Sequence, residues 1–413
     1  MREMKDSGVE WLGEVPAEWD FDRLGGFFSL RSEKVSDEDY TPLSVTKGGV
    51  VPQLSHVAKS DDHANRKLVC KGDFAINSRS DRRNSCGFAS QDGSVSLINT
   101  ICVPRGEIES RYFGYLFDSS QWSDEFYSWG HGIVADLWTT GWNDMKKILL
   151  PVPPLDEQRR IADFLDEKCA EIDRAVSAAE QSIEEYKVYK NSVVYRAITK
   201  GFDVDVPMKD SGIEWLREIP VGWKITPLKH LFYISKTIAG RTGLDVLSIT
   251  QQGLKVKDIK SGEGQLASDY SHYQIVEPGD FAMNHMDLLT GWIDLSDKTG
   301  VTSPDYRVFR TRTDDVDKHY YLRVFQYYYS ARVFYGFCKG ISSKGRWRLP
   351  ADAFRSIQVP LPPLSEQRRI ANYLDEKCAQ IDRAVAAKKV VITELKSYKQ
   401  SLIYETVTGK REV

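Results

Sequence analysis

Residues 151–176 read PVPPLDEQRRIADFLDEKCAEIDRAV, and residues 360–385 read PLPPLSEQRRIANYLDEKCAQIDRAV. Five of these 26 positions differ: Val152/Leu361, Asp156/Ser365, Asp163/Asn372, Phe164/Tyr373 and Glu171/Gln380. Four exchanges keep size or polarity, and the fifth trades one good helix N-cap for another. Each block opens an apolar period of three and four. In the first copy the stripe is Ile161, Leu165, Cys169, Ile172, Val176, Ala179, Ile183 and Tyr186. In the second it is Ile370, Leu374, Cys378, Ile381 and Val385, then Ile392, Leu395, Tyr398 and Leu402. No Pro or Gly interrupts 156–200 or 365–408. The pattern predicts two helices of roughly 40 residues, each about 60 Å long at ~1.5 Å per residue. A helix of that length with one apolar stripe needs a partner, and the plainest partner is the other copy.

A second repeat precedes each variable segment. Met4-Lys5-Asp6-Ser7-Gly8-Val9-Glu10-Trp11-Leu12 returns 204 residues later as Met208-Lys209-Asp210-Ser211-Gly212-Ile213-Glu214-Trp215-Leu216. The helical block returns with an offset of 209 residues. Between the repeats lie two segments, about 20–150 and 224–359, that resemble each other poorly. Gly72-Asp73-Phe74-Ala75 and Gly279-Asp280-Phe281-Ala282 survive as anchors, each followed by Asn77 or Asn284; Trp138 answers Trp347. The chain therefore reads as one module written twice. Its divisions are 1–150, a first recognition segment; 151–203, a first long helix; 204–359, a second recognition segment; and 360–413, a second long helix. The variable segments carry short apolar runs among Gly, Ser, Thr, Tyr and Trp. Helices are expected near Arg111–Tyr127 and Lys318–Phe334. The fold class is α+β, with the helices pairing as an antiparallel coiled coil in pseudo-twofold fashion.

Composition narrows the function. Hydrophobic residues make up 41% of the 413 and charged residues 28%, which excludes disorder and fibrous repeats. No apolar run approaches a membrane span, and the acidic start of the chain is unlike a secretory signal. The net charge of −3 argues against indiscriminate coating of nucleic acid, but leaves room for local basic patches. The six cysteines form no CxxC pair and are expected as reduced thiols.

Two patches suit DNA. Arg79, Arg82, Arg83 and Asn84 cluster after an expected strand. Lys344, Arg346, Trp347 and Arg348 are basic, aromatic-interleaved and free of acids. Arg and Lys neutralise phosphates, and Arg and Asn read base edges in pairs of hydrogen bonds. The plainer alternative for both is a solvated charged loop. His131, Asn284 and His285 are further candidates; structural histidines and turn-capping asparagines are the competing readings. Asp166-Glu167-Lys168 and Asp375-Glu376-Lys377 resemble a nuclease fragment, but lie in helices among charge pairs and read as solvated faces. There is no Walker A pattern, GxGxxG, HExxH or Asn-Pro-Pro-aromatic tetrapeptide, and no catalytic or metal constellation. A binding protein is favoured over an enzyme. A coiled-coil scaffold for proteins and a self-contained modifying enzyme are the alternatives.

The duplicated Pro-x-Pro-Pro-Leu-x-Glu-Gln-Arg-Arg-Ile-Ala-x-aromatic-Leu-Asp, with the Lys-Asp-Ser-Gly-x-Glu-Trp-Leu blocks, resembles the shared regions of type I restriction–modification specificity subunits. That resemblance implies a non-catalytic subunit whose variable segments are target recognition domains. Each would read half of a bipartite, asymmetric duplex site, and the helices would act as a spacer of fixed length. It implies two modification subunits bringing S-adenosylmethionine, and restriction subunits working with ATP and Mg, in the cytoplasm of a prokaryote. Residues of the helical blocks would then serve spacing and docking: Gln158, Arg159, Ile161, Leu165, Ile172 and Val176, with Gln367, Arg368, Ile370, Leu374, Ile381 and Val385. Base-reading residues do not carry over by motif. The picks in the two patches rest on charge and loop position.

Overall fold

The computed structural model describes residues 2–53, 63, 65–79, 82–132, 138–203, 205–259, 267, 269–338 and 347–413. Within the first copy the elements that matter are β1 (Phe28–Arg31), β2 (Phe74–Asn77), β3 (Cys86–Phe88), β4 (Asn99–Pro104), α1 (Ser110–Asp118), α2 (Ser120–Ser128) and α3 (Leu155–Lys200). The second copy contributes β5 (Phe232–Ser235), β6 (Phe281–Met283), β7 (Ile293–Leu295), β8 (Arg307–Thr311), α4 (Lys318–Ser330) and α5 (Leu364–Val407). The chain divides into two compact units. One is Met1–Glu180 together with Lys389–Val413, and the other is Gln181–Lys388. The cut falls inside both long helices, so each unit draws on both copies of the helical block.

In the first unit a four-stranded antiparallel sheet has the order β3-β2-β4-β1. In the second the order is β7-β6-β8-β5, which is the same arrangement. The poorly matching sequences thus share one frame. The register shows how. Phe74 faces Cys102 where Phe281 faces Phe309, so Thr100 and Arg307 hold the same place, as do Ser78 and His285. Side chains alternate across a strand, so apolar identity is needed on the core face alone. Phe28, Phe74, Phe113 and Phe117 fill that face in the first unit; Phe232, Phe281, Phe309 and Phe325 fill it in the second. The Phe281 and Phe309 rings stack at 5.0 Å with 4° between their planes. The expected helices near Arg111–Tyr127 and Lys318–Phe334 are α1 with α2, and α4.

The helical pairing is antiparallel inside each unit. In the first, Lys399 Nζ donates to Asp173 at 2.7 Å and Lys396 to Glu180 at 3.3 Å, so rising numbers on α3 meet falling numbers on α5. In the second, Lys190 Nζ donates to Asp382 at 2.7 Å, and this pair is the repeat counterpart of Lys399 and Asp173. Ile161, Leu165, Cys169, Ile172 and Val176 are buried with Leu402, Ile403 and Val407 in the first core. Ile370, Leu374 and Cys378 are buried with Val194, Ala197 and Ile198 in the second, and Ile381 is buried as well. One stripe residue departs from expectation. Tyr398 is 49% exposed, because the packed face advances from Leu395 to Lys399, whose ammonium sits on Asp173.

The repeated motifs fasten helix to recognition segment. The Trp19 indole donates to Glu157 at 3.0 Å, and that of Trp223 to Glu366 at 2.9 Å. Lys5 and Lys209 each donate to the carbonyl of that tryptophan at 2.7 Å. Gln158 and Gln367 are buried. Each donates to a proline carbonyl at 2.9 Å, and accepts a backbone N–H from the recognition segment, Glu109 at 3.2 Å and Asp317 at 2.8 Å. Tyr404 donates to the Trp11 carbonyl and Tyr195 to that of Trp215. Gly8 and Gly212 stand at φ 67° and 71°, where a side chain is strained, and each N–H is taken by the aspartate two residues earlier.

Candidate nucleic-acid interface

Each sheet ends in the same rim. In the first unit, Asn77 ends β2 and its side-chain oxygen accepts the Arg79 N–H at 3.1 Å. In the second, the Asn284 oxygen accepts the Met286 N–H at 3.2 Å, one residue past β6. Both asparagines therefore close an Asx turn that launches the loop. A returning segment lies beside it. Thr140 donates its N–H to the Ser78 carbonyl, and Leu349, its counterpart, donates to the His285 carbonyl, both at 3.0 Å. Arg79 and His131 each form a bridge with Thr139. The two loops of each rim are thus tied at their bases.

On the first rim, Arg79, Arg82, Arg83 and His131 are exposed. Arg83 pairs with Asp124 at 2.8 Å and lies 5.1 Å from the centre of the Tyr127 ring. Asn84 has a left-handed backbone, φ 60°, and its amide reaches the Asp118 carbonyl at 3.5 Å. His131 stands 3.4 Å from Asp144. Ser78 and Thr100 hydrogen-bond to each other at 2.7 Å below the rim, both buried.

On the second rim the same two places hold His285 and Arg307, both buried. Burial pushes the His285 imidazole down to about 3, with Arg307 and Arg348 adding repulsion. Burial also lowers the Arg307 guanidinium, to about 10. Arg307 donates to the Leu349 carbonyl at 2.9 Å and lies 4.7 Å from the centre of the Phe354 ring. Arg348 is exposed and Trp347 half-buried, its ring 5.2 Å from that of Tyr335. Lys344 and Arg346 lie outside the described residues. The candidates therefore fall on two rims, one per unit. Arg307 escapes a sequence reading because it sits within a strand; its equivalence with Thr100 emerges only from the strand register.

His285 gives a pH prediction. Its folded value lies below the ordinary 6.5, so the unfolded chain takes up a proton that the folded one refuses. Stability of the second unit should fall as pH drops from 6.5 toward 3, by about 2 kcal/mol at pH 5. Chemical denaturation of H285N should show a shallower acid slope than the parent; equal slopes would refute the assignment.

The helical candidates divide by exposure. Arg159 and Arg368 are exposed, and Arg159 pairs with Glu107 at 2.9 Å; Val385 is half-buried. Asp166 accepts from Arg111 and Tyr115, and Asp375 from Arg323, so the aspartate of each nuclease-like tripeptide clamps the recognition segment. Among the described residues, no helix is long and apolar enough to cross a membrane.

One α+β frame built twice, with divergent rims and long helices made of matching blocks, defines a duplicated two-unit α+β protein. Residues 250–394 match the family of the type I restriction modification DNA specificity domain. Over its whole length the chain is similar to the putative type I restriction enzyme MjaX specificity subunit of Methanocaldococcus jannaschii, at 23% identity and across 93% of that protein. Two solved structures share the fold. A chain of a structure described as the basis of complex assembly and conformational transition of the type I R-M system matches at TM-score 0.71 and 16% identity, covering 96% of this chain and 99% of that one. The HsdS subunit of Thermoanaerobacter tengcongensis matches at 0.52 and 18%, covering 96% and 98%. The chain is thus similar in sequence and in fold to specificity subunits of type I restriction–modification systems.

Proposed function

We propose that this protein selects the DNA target of a type I restriction–modification complex. Each recognition unit reads one half of a bipartite, asymmetric duplex site. The long helices fix the unread gap and dock two modification subunits, which bring S-adenosylmethionine; restriction subunits add ATP- and Mg-dependent steps. The chain performs no chemistry itself and works in the prokaryotic cytoplasm. The observation that carries this reading is the pattern of divergence. Fasteners such as Trp19–Glu157 and Trp223–Glu366 are kept in both units, while Ser78 and Thr100 on one rim become His285 and Arg307 on the other. A frame held constant beneath changing rims is what reading two different half-sites requires.

The test is a map of methylated adenines in a host expressing the partner subunits, with this gene intact and deleted. A two-part motif that vanishes on deletion supports the reading; an unchanged map refutes it. Within that assay, Arg79→Ala should cost ~1–3 kcal/mol and relax one base of one half-site, leaving the other half unchanged. Equal loss on every sequence would assign Arg79 to phosphate instead.

A further inference from the structure

In the second unit a cleft of about 200 Å³ opens beside β5 and β8, and Lys236, His285, Arg307 and Arg348 line it. Arg307 is 4% exposed and His285 8%. Among the described residues, Arg307 Nη1 and His285 Nδ1 have no hydrogen-bond partner. A buried guanidinium ordinarily has a carboxylate or a full set of acceptors, because leaving it unpaired is costly. Here its described hydrogen bond is to one carbonyl, and a second arginine stands near enough to depress it. Asp305 is the one carboxylate lining the cleft among the described residues, and it is exposed. Gln274, also in the lining, already donates to the carbonyls of Ser303 and Tyr306. The cleft therefore offers an unfilled guanidinium donor and positive charge to something small and anionic. The first unit has no such need at the matching place, where Ser78 and Thr100 satisfy each other.

We propose that this cleft is a binding site for one phosphate-class oxyanion, filled by a strand phosphate of the bound DNA. The oxyanion site stands on the cleft itself; its DNA source rests on the function proposed above. Arg307 supplies the buried donor, Arg348 and Lys236 the flanking charge, and His285 a ring nitrogen at the wall. A tetrahedral oxyanion accepts from several such donors at once.

Inorganic phosphate is titrated into the full-length chain by calorimetry, against R348A, K236A and R307M. Thermal melting confirms that each variant folds; the exposed R348A and K236A keep the test open should R307M not. Phosphate binding should weaken at least fivefold in R348A and disappear in R307M. The complex assembled with its modification subunits is then titrated with duplexes at several salt concentrations. R348A should lose affinity by one common factor on every sequence, with the log–log salt slope reduced by about one. Absent phosphate binding by the parent chain, with DNA affinity unchanged in the variants, overturns the site. Loss on one sequence alone also overturns it, making Arg348 a base contact. Phosphate binding lost without any change in DNA affinity keeps the oxyanion site and refutes its DNA source. Should the parent complex bind no duplex while phosphate binding still depends on Arg348, the site stands and the proposed function fails.

Discussion

Ending the chain at Lys388 should unfold the N-terminal unit and spare the other. Leu402, Ile403 and Val407 are buried in the first core at 2%, 0% and 0% exposure, against Ile161, Leu165 and the recognition segment. Tyr112, itself buried, donates to the Val407 carbonyl at 3.0 Å, and Tyr404 donates to that of Trp11 at 2.8 Å. Each large apolar side chain contributes about 1.5–3 kcal/mol by burial. Three of them, with two hydrogen bonds, rival the ~5–15 kcal/mol that holds a domain folded. The second unit is one unbroken stretch, Gln181–Lys388, and keeps all of its residues. Limited proteolysis of the truncated chain should therefore digest residues 1–180 and leave a resistant core from 181 to 388. The point variant Ile403→Ala should act in the same direction, costing about 2–5 kcal/mol in the first unit alone. A truncated chain whose N-terminal unit resists protease as well as the parent would refute this dependence.

That dependence was half legible in the sequence. The repeat, the helices and their mutual packing follow from an apolar period and the lack of Pro and Gly, because a long amphipathic helix must bury its stripe. The division of each helix between two units does not follow. It needs the strands and helices of the recognition segments, and these match too poorly for the two copies to be laid over each other. The helix-start glutamines show the same limit. Gln158 and Gln367 stand out by repetition, but their internal hydrogen bonds depend on where residues 109 and 317 fall in the fold. The rims were least legible. Arg79 and Arg348 announce themselves by charge in loops. Arg307 looks like any strand residue until the register sets it opposite Met283 and beside His285.

Arg31→Ser should cost the first unit about 3–5 kcal/mol, and adding Val103→Arg should return much of it. Asp73 is buried at 2% exposure and receives Arg31 Nε at 2.7 Å and Nη2 at 3.2 Å, while its other contact is the Cys70 N–H at 2.8 Å. Removing the arginine strands a buried carboxylate, which is the expensive half of a broken ion pair. The second unit keeps the same aspartate as Asp280, with the same backbone contact, from Glu277. Its cation, however, comes from another strand. Arg310 on β8 donates to Asp280 at 2.8 Å and 2.9 Å, whereas the place of Arg31 is held by Ser235. Register assigns Val103 on β4 to the place of Arg310, and Val103 is only partly buried, so an arginine there can keep its stem on the sheet and its head on Asp73. Denaturant midpoints of the parent, R31S and R31S/V103R measure the exchange. A double variant no more stable than R31S would mean that matching strand order does not carry matching geometry. Recovery would mean that the aspartate is the fixed element of this frame and the strand supplying its arginine is free to change, which lets two recognition units diverge at their rims without losing the sheet beneath.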